Sequence, residues 1–389
     1  MRQFKTRDVI RKTKPALIAL WFSLLFLPLK GVKSSLLLFV LLSILLFFFK
    51  FFLRHGTSLQ ERICVLRERI GKKRIPVSIP LIARYLAIVG LLCLPFFAEN
   101  YLLDVVILAG IYAILALGLN VVVGFTGLLN LGYVAFYAIG AYAYALLNVK
   151  CGLGFWQALP ICIGLTTLSG FILAVPALRL KGDYLAIVTL GFGEIVRLIL
   201  NNWDSLTNGP NGISGISAPS IFGSSLEALN RYYYLVFLSL VLTYSVVKRV
   251  RFSKIGRAWI AIREDEICAS TMGINTTRYK LYAFAFGSLW AGIAGPLFAA
   301  KMRFVSPESF TFMESVLILC MVILGGQGSL TGVVLGAFVL VILPEVLRGV
   351  QSYRMLVLSI GLIAMMIFRP QGLLGGIGRE RMREVGEKQ

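Results

Sequence analysis

Hydrogen-bonding side chains lie inside one apolar stretch of the chain, residues 118–141, which reads GLNVVVGFTGLLNLGYVAFYAIGA. Asn120, Thr126 and Asn130 are its polar members, and glycines interrupt the apolar residues around them. Polar groups in such surroundings are costly, and broken helices leave backbone groups that need partners. Two interpretations are open: the side chains line a pathway and hold the charged ends of a small solute, or they bond between closely packed helices.

An acid and a base at helical spacing form a second candidate site. Glu194 and Arg197 lie in GDYLAIVTLGFGEIVR, residues 182–197. Their i, i+3 spacing puts them on one face of a helix, where they can pair. Such a pair could attract a zwitterion or dock an extracytoplasmic partner. Ion pairs of this kind are also common structural features, so the spacing leaves both interpretations open.

Signatures of catalysis, nucleotide binding and metal binding are absent from the sequence. It contains no GxxxxGK[ST] loop, no HExxH and no GxSxG, so we do not expect the chain to split ATP or to act as an enzyme. Its six cysteines are scattered without a CxxC pair, and its single histidine, His55, lies beside a basic loop. We predict no catalytic residues, no metal site and no cofactor.

One charged segment, SKIGRAWIAIREDEICASTMGIN at residues 253–275, contrasts with the apolar runs on either side of it. It is too polar to enter a bilayer and too regularly patterned for an irregular loop, so we predict a helix held in water. Ser253 and Gly256 suit its start, and Gly273 suits its end. A membrane protein that holds a short helix in water usually contacts a partner with it.

The elements that position these residues are apolar runs of roughly membrane-spanning length. Of the 389 residues, 58% are hydrophobic and 15% are charged, which indicates a polytopic membrane protein. We expect an all-α transmembrane helical bundle with about 10–12 spans. The candidate runs lie near residues 15–29, 34–53, 81–98, 101–123, 133–149, 157–178, 184–200, 231–250, 278–300, 311–325, 330–347 and 353–368.

The distribution of Lys and Arg predicts the orientation of the bundle. The two alternating sets of loops hold 28 and eight of these residues, and loops rich in positive charge stay in the cytoplasm. The richer set includes both termini and residues 253–275, so we expect all three in the cytoplasm. The net charge of +21 reflects the same bias, and we expect no nucleic-acid partner.

Several segments together resemble one family, the longer M-type membrane permeases of high-affinity branched-chain amino acid importers of the ATP-binding-cassette (ABC) class. Each segment is a weak signal alone, but together they span nearly all of residues 100–375. The segments are GLNVVVGFTGLLNLGY at 118–133, FYAIGAY at 136–142, GDYLAIVTLGFGEIVR at 182–197, NGPNGI at 208–213, GRAWIAIREDEI at 256–267, FVSPESFTF at 304–312 and RPQGLL at 369–374.

The resemblance implies a function, a location and a set of partners. The chain is expected to be the translocation subunit of an importer in the bacterial inner membrane, for branched-chain amino acids or related small amino acids and amides. A second, H-type permease, two cytoplasmic ATPases and an extracytoplasmic amino-acid-binding protein would work with it, within membrane lipid. An ion-coupled secondary transporter of small polar solutes remains the alternative, and it would need no ATPase.

Composition predicts a division of the chain, and its N-terminal hydrophobic extension also resembles the longer members of this family. Residues 81–375 would form the permease transmembrane domain. Residues 1–80 would form an accessory N-terminal hydrophobic hairpin with a basic cytoplasmic linker, and residues 376–389 a polar cytoplasmic tail.

Under the resemblance, the charged segment corresponds to the coupling segment through which ABC permeases contact their ATPases, bounded here by Gly256 and Gly273. An apolar stripe is expected to fill a groove on the partner, and its members are Ala258, Ile262, Ala269 and Met272. Polar contacts at the rim are expected from Arg263, Glu264, Asp265 and Glu266. The family's usual Glu-Ala-Ala pattern is replaced here by Ile267-Cys268-Ala269.

Overall fold

The computed structural model describes residues 95, 99–177, 180, 182–221, 224–225, 227–346, 363 and 372–373. The accessory segment 1–80 and the tail 376–389 lie outside the described residues. So do the predicted spans 15–29 and 34–53 and nearly all of the spans 81–98 and 353–368.

The helices in the described part of the chain lie mostly at the predicted apolar runs, as expected for an all-α polytopic bundle. They are α1 (Asn100–Asn120), which continues as a π-helical turn (Val121–Phe125), α2 (Tyr133–Val149), α3 (Phe155–Ala177), α4 (Asp183–Asn202), the one-turn α5 (Asp204–Thr207), α6 (Leu229–Arg251), α7 (Lys254–Glu264), α8 (Glu266–Thr271), α9 (Thr276–Met302), α10 (Phe312–Gly325) and α11 (Leu330–Val346). Within the ranges that the structure describes, four segments are long and apolar enough to cross a membrane: α1 with its π-helical turn, α3, α6 and α9. Helices α2, α10 and α11 are shorter apolar helices.

Helices α1 and α9 form the centre of the bundle. Their apolar windows are 78% and 83% buried, against 33% for α3 and 28% for α6. Small residues allow the central helices to pack closely. A Cβ atom at Gly295 of α9 would lie 2.5 Å from the backbone nitrogen of Ala141 in α2, so only glycine fits there.

The segment between α1 and α2 breaks the helical path, as the glycines of residues 118–141 predict. The chain leaves the π-helical turn and begins α2 deep in the bundle. The hydroxyl of Tyr133 donates to the carbonyl oxygen of Gly287 at 2.8 Å, and Gly287 lies about 17 Å along α9. The N–H of Val134 donates to Oγ of Ser315 at 3.0 Å. Helix α2 therefore starts near the middle of the bundle.

Short strands join the loops at the opposite end of the bundle from α7 and α8. Strand β1 (Ile213–Ser214) pairs antiparallel with β4 (Phe304–Val305), and β2 (Ser220–Ile221) pairs antiparallel with β3 (Ser224–Ser225). A 3₁₀ turn, Pro307–Phe310, follows β4. The ring of Phe310 is 1% exposed and lies 5.1 Å from the ring of Tyr137, so the loop before α10 folds into the bundle.

Candidate functional site

The charged segment begins and ends at the predicted residues. Oγ of Ser253 accepts a hydrogen bond from the N–H of Gly256 at 3.4 Å, which caps α7. Gly273 has a φ of +81°, a left-handed conformation that glycine adopts without strain. The N–H of Ile274 then donates to the carbonyl oxygen of Ala269 at 3.1 Å and closes the C-terminal turn.

The segment is two helices rather than the single helix predicted. Asp265 has an extended backbone, and its Oδ1 accepts hydrogen bonds from the N–H groups of Ile267 at 2.8 Å and Cys268 at 3.0 Å. It therefore caps α8 at the point where α7 ends. Hydrogen bonds from Cys268, and then from the Ile267 N–H, lower the pKa of the Asp265 carboxyl below its ordinary value. The same carboxyl raises the pKa of the Cys268 thiol by hydrogen bonding and by its charge.

The apolar stripe of the segment faces the protein's own bundle, which corrects the prediction that it fills a groove on a partner. Ala258, Ile262 and Ala269 are 6%, 5% and 4% exposed. Gly256 is buried with them, and Nε1 of Trp259 donates to the carbonyl oxygen of Tyr279 at 2.8 Å. These side chains are already packed inside the chain, so they attach the segment to the membrane-spanning helices.

Arg263 and Glu266, which were predicted at the rim of a partner interface, contact the membrane-spanning part of the chain instead. Nη1 of Arg263 donates to the carbonyl oxygen of Gly124 in the π-helical turn. Glu266 pairs with Nζ of Lys280 at 2.6 Å, and the side chain of Lys280 is 5% exposed. Asp265 caps α8, and the side chain of Glu264 is exposed at the end of α7.

Other apolar side chains of the segment point away from the bundle. Ile267 is 71% exposed and Met272 is 83% exposed. Periodicity placed Met272 on the same stripe as Ala269, whereas the end of α8 at Thr271 directs it outward. Ile267 follows the break at Asp265. Its exposure could not be predicted from a single continuous helix, because the break changes the direction of the side chains that follow it. These two side chains form the exposed apolar face of the segment.

Arg263 reaches a cluster of backbone and amide groups at the end of α1. Oδ1 of Asn120 accepts a hydrogen bond from the N–H of Gly328 at 2.9 Å, across 208 residues of sequence. A Cβ atom at Gly328 would lie 3.2 Å from Nη1 of Arg263 and 3.3 Å from the carbonyl oxygen of Gly124. The four residues Asn120, Gly124, Arg263 and Gly328, called here the clasp, join the charged segment to α1 and to the turn between α10 and α11.

The three polar residues of the broken helix are buried in the described chain. Asn120, Thr126 and Asn130 are 0%, 3% and 0% exposed. Oγ1 of Thr126 donates to the carbonyl oxygen of Val122, and Oδ1 of Asn130 accepts from the N–H of Gly132 at 3.0 Å. The Nδ2 atoms of both asparagines lack a hydrogen-bonding partner among the described residues. In this conformation none of the three side chains is open to a pathway: Asn120 bonds to a distant element, whereas Thr126 and Asn130 bond within their own segment.

Glu194 and Arg197 pair with each other, as their spacing indicates. Nη2 of Arg197 lies 2.9 Å from Oε2 of Glu194, and the two side chains are 34% (Glu194) and 33% (Arg197) exposed. They lie on α4, whose exposed side chains between its two terminal residues are apolar, including Tyr184 and Ile187. Among the contacts of the described residues, none joins this pair to the three buried polar residues.

One acid in the bundle escaped the sequence analysis. The hydroxyl of Tyr112 in α1 donates to Oε2 of Glu314 in the first turn of α10 at 2.6 Å. The signal was present, since Glu314 is an acid inside the apolar run 311–325. Its position near the end of that run is typical of an interfacial residue, and only the inward fold of the preceding loop moves it into the bundle.

Comparison with known proteins identifies relatives over most of the chain. A family model described as "Branched-chain amino acid transport system / permease component" matches residues 101–367. The high-affinity branched-chain amino acid transport system permease protein LivM of Salmonella typhimurium is 49% identical over 303 residues, which cover 72% of this chain and 71% of that protein. LivM of Escherichia coli K12 gives the same values. LivH of Escherichia coli K12 is 26% identical over 289 residues, 69% of this chain and 93% of that protein. No solved structure matches the chain.

Proposed function

The chain belongs to the branched-chain amino acid transport system permease family, and we propose that it is the M-type translocation subunit of an ATP-driven importer. Its substrates would be branched-chain amino acids or related small amino acids and amides. The observation that supports this most strongly is the 49% identity to LivM over 72% of the chain. The chain is a multi-pass inner-membrane transport component and not an enzyme.

A second permease completes the assembly, since both LivM and LivH are relatives of this chain. We propose further that two ATPases bind on the cytoplasmic side and that a binding protein delivers the amino acid on the other side. The sequence contains no phosphate-binding GxxxxGK[ST] loop, so ATP must be split by another protein.

The proposed contact with the ATPases is the exposed face of the charged segment. Ile267 and Met272 supply apolar area there, and Glu264 and Asp265 lie beside them on the exposed side. The excess of Lys and Arg in the same set of loops supports a cytoplasmic position for this face and for both termini. In this proposal Ala258, Ile262 and Ala269 hold the segment on the bundle and do not meet the partner.

The same contacts suggest how a push on the segment reaches the spans. Arg263 ties it to the end of α1 through Gly124, and Glu266 ties it to α9 through Lys280. Among the four candidate spans of the described residues, α1 and α9 are the most buried, so a displacement of α7 and α8 moves the centre of the bundle. Coupling of this kind needs a contiguous set of packed contacts, which these pairs provide.

Asn120, Thr126, Asn130, Glu194 and Arg197 remain candidates for the pathway, which would lie between this chain and the second permease. Glu194 and Arg197 are accessible on α4, whereas the other three would meet a solute only after the helices around them separate. A complex that carries Asn120→Leu and Asn130→Leu tests their role. Normal uptake by a properly assembled double variant would remove both residues from the pathway.

Reconstitution tests the proposed function itself. The chain is co-expressed with its second permease and two ATPases, purified, and placed in proteoliposomes with the binding protein and radiolabelled leucine, isoleucine or valine. Uptake that requires ATP and the ATPases supports the proposal. Uptake that is driven by an ion gradient without the ATPases would instead support the secondary transporter.

A further inference from the structure

Glu314 lies near the middle of the membrane-spanning bundle. Its Oε2 accepts a hydrogen bond from Tyr112, which lies about 18 Å along a span of 26 residues, close to the middle of that span. Its neighbour Ser315 accepts a hydrogen bond from the N–H of Val134 at the deep start of α2. Both contacts place the first turn of α10 well inside the bundle.

No basic side chain neutralises Glu314 in the described part of the chain. The ion pairs there involve Glu194, Glu266, Asp104 and Glu227. The second oxygen of Glu314, Oε1, has no hydrogen-bonding partner among the described residues. A carboxylate at this depth is costly, and such groups face the interior of an assembly or a water-filled cavity.

The surroundings of Glu314 are suited to a ligand that joins a cation to an apolar group. Glu314 is half-buried, so part of its side chain is reachable from outside the chain. The buried hydroxyl of Tyr137 has no hydrogen-bonding partner in the described chain. The ring of Tyr137 packs against Phe310 at 5.1 Å and Phe298 at 5.3 Å.

We propose that the Glu314 carboxylate binds the ammonium group of the amino acid as it crosses the membrane, and that Tyr112 is the positioning residue that orients it. Oε2 is held by the hydroxyl of Tyr112, which leaves Oε1 to accept from the ammonium group. This inference rests on the proposed function, because it names the residue that recognises one end of the imported zwitterion. It adds an ion-binding position to a pathway for which Glu194 and Arg197 were the charged candidates.

The test compares Glu314→Gln with Glu308→Gln in the complete reconstituted transporter. Glu308 is the control, because it is exposed in the loop before α10 and its replacement by Gln removes the same charge. Glu314→Gln keeps a side chain of the same shape that accepts from Tyr112, but it loses the charge. We expect uptake to fall at least about tenfold, the usual scale for losing a charge-assisted hydrogen bond. Assembly and binding-protein-stimulated ATP hydrolysis are expected to stay at the wild-type level, and Glu308→Gln to behave as wild type.

Two further variants separate recognition from structure. Glu314→Asp keeps the charge and is expected to retain more uptake than Glu314→Gln, whereas a merely structural residue would favour the isosteric Gln. Tyr112→Phe leaves the carboxylate in place without its donor, so a smaller loss of uptake than in Glu314→Gln is expected.

The possible outcomes are distinct. Wild-type uptake by Glu314→Gln, or loss of assembly in that variant, would overturn the role of Glu314 and leave the proposed function standing. If the wild-type complex imports some other solute, the proposed function fails. The role of Glu314 is then tested by measuring the uptake of that solute. Dependence on Glu314 for a solute with an amino group would then support it, and import of a solute without a cationic group would overturn it.

Discussion

The guanidinium group of Arg263 donates a hydrogen bond to the backbone carbonyl oxygen of Gly124, although 139 residues separate the two in the chain. Arg263 lies in the last turn of α7, a polar helix outside the apolar spans. Gly124 lies in a π-helical turn at the end of a buried span. Short π-helical turns are rare and occur often at functional sites. The bond therefore connects the segment proposed to meet the ATPases directly to the core of the bundle.

Replacing Gly124 with alanine should disrupt the clasp. A Cβ atom there would lie 2.0 Å from Oδ1 of Asn120 and 2.7 Å from the backbone nitrogen of Gly328. The amide would have to leave its partner, so we expect Gly124→Ala to lower the free energy of unfolding by about 1–3 kcal/mol. Gly164→Ala in α3 is the control, because a Cβ atom there meets nothing within 4 Å. Thermal unfolding in detergent measures both, and equal melting temperatures would refute the packing described for the clasp.

Attachment of the ATPases should depend on the exposed apolar face. Met272→Glu and Ile267→Glu place a charge on side chains that are 83% and 71% exposed, so the fold of this chain should tolerate them. If the face is a binding surface, each change is expected to cost more than about 1 kcal/mol of binding free energy. Co-purification of the ATPases with tagged permease measures this.

Met302→Glu provides the matched control for this face. Met302 is 45% exposed and ends α9 on the opposite side of the bundle, where no ATPase is expected. The proposal predicts ATPase recovery at the wild-type level with Met302→Glu and a loss with Met272→Glu. Full recovery with both substitutions in the charged segment would contradict the proposed docking surface.

Two natural cysteines test the orientation of the chain. Cys268 and Cys151 are both exposed, and the loop charges put the first in the cytoplasm and the second outside. In variants that keep only one of these two and have the other five cysteines replaced, a membrane-impermeant maleimide should label Cys268 only in inside-out vesicles and Cys151 only in right-side-out vesicles. The reverse pattern would invert the topology and with it the position of the ATPases.

The pH dependence of that labelling tests the cap at Asp265. The Asp265 carboxyl raises the pKa of the Cys268 thiol, so less of the reactive thiolate is present at a given pH. Asp265→Asn can still accept from the N–H groups of Ile267 and Cys268 but lacks the charge. It should therefore lower the thiol pKa and shift the labelling profile to lower pH. An unchanged profile would show that Asp265 does not contact Cys268 in solution.

Within the described residues, the sequence predicted the apolar helices well because the length and composition of the apolar runs determine them. Residues 133–149 were predicted as a run and form α2 with the same bounds, Tyr133–Val149. Periodicity also showed that Ala258, Ile262 and Ala269 share a face. It could not show what the face contacts. The same sequence pattern is found whether a helix packs its apolar stripe on its own chain or on a partner.

The contacts of the site could be predicted only in part. Asp265 is a common N-cap residue type, so the break between α7 and α8 had a local signal. The partners of Asn120 and Arg263, by contrast, lie 208 and 139 residues away. No local pattern specifies such pairs, since they depend on how the helices are arranged in space.

Arg263 is proposed to transmit movement of the charged segment to the spans. The most direct measurement is the number of amino acids imported per ATP split, in proteoliposomes that contain the complete transporter with Arg263→Gln or Arg257→Gln. Arg257 is the matched control, because its Nη1 donates to the carbonyl oxygen of Phe252 at 3.1 Å, a contact local to the segment. We predict that Arg263→Gln lowers the ratio about tenfold while ATP hydrolysis continues, and that Arg257→Gln leaves it at the wild-type value. An unchanged ratio in Arg263→Gln would contradict the account.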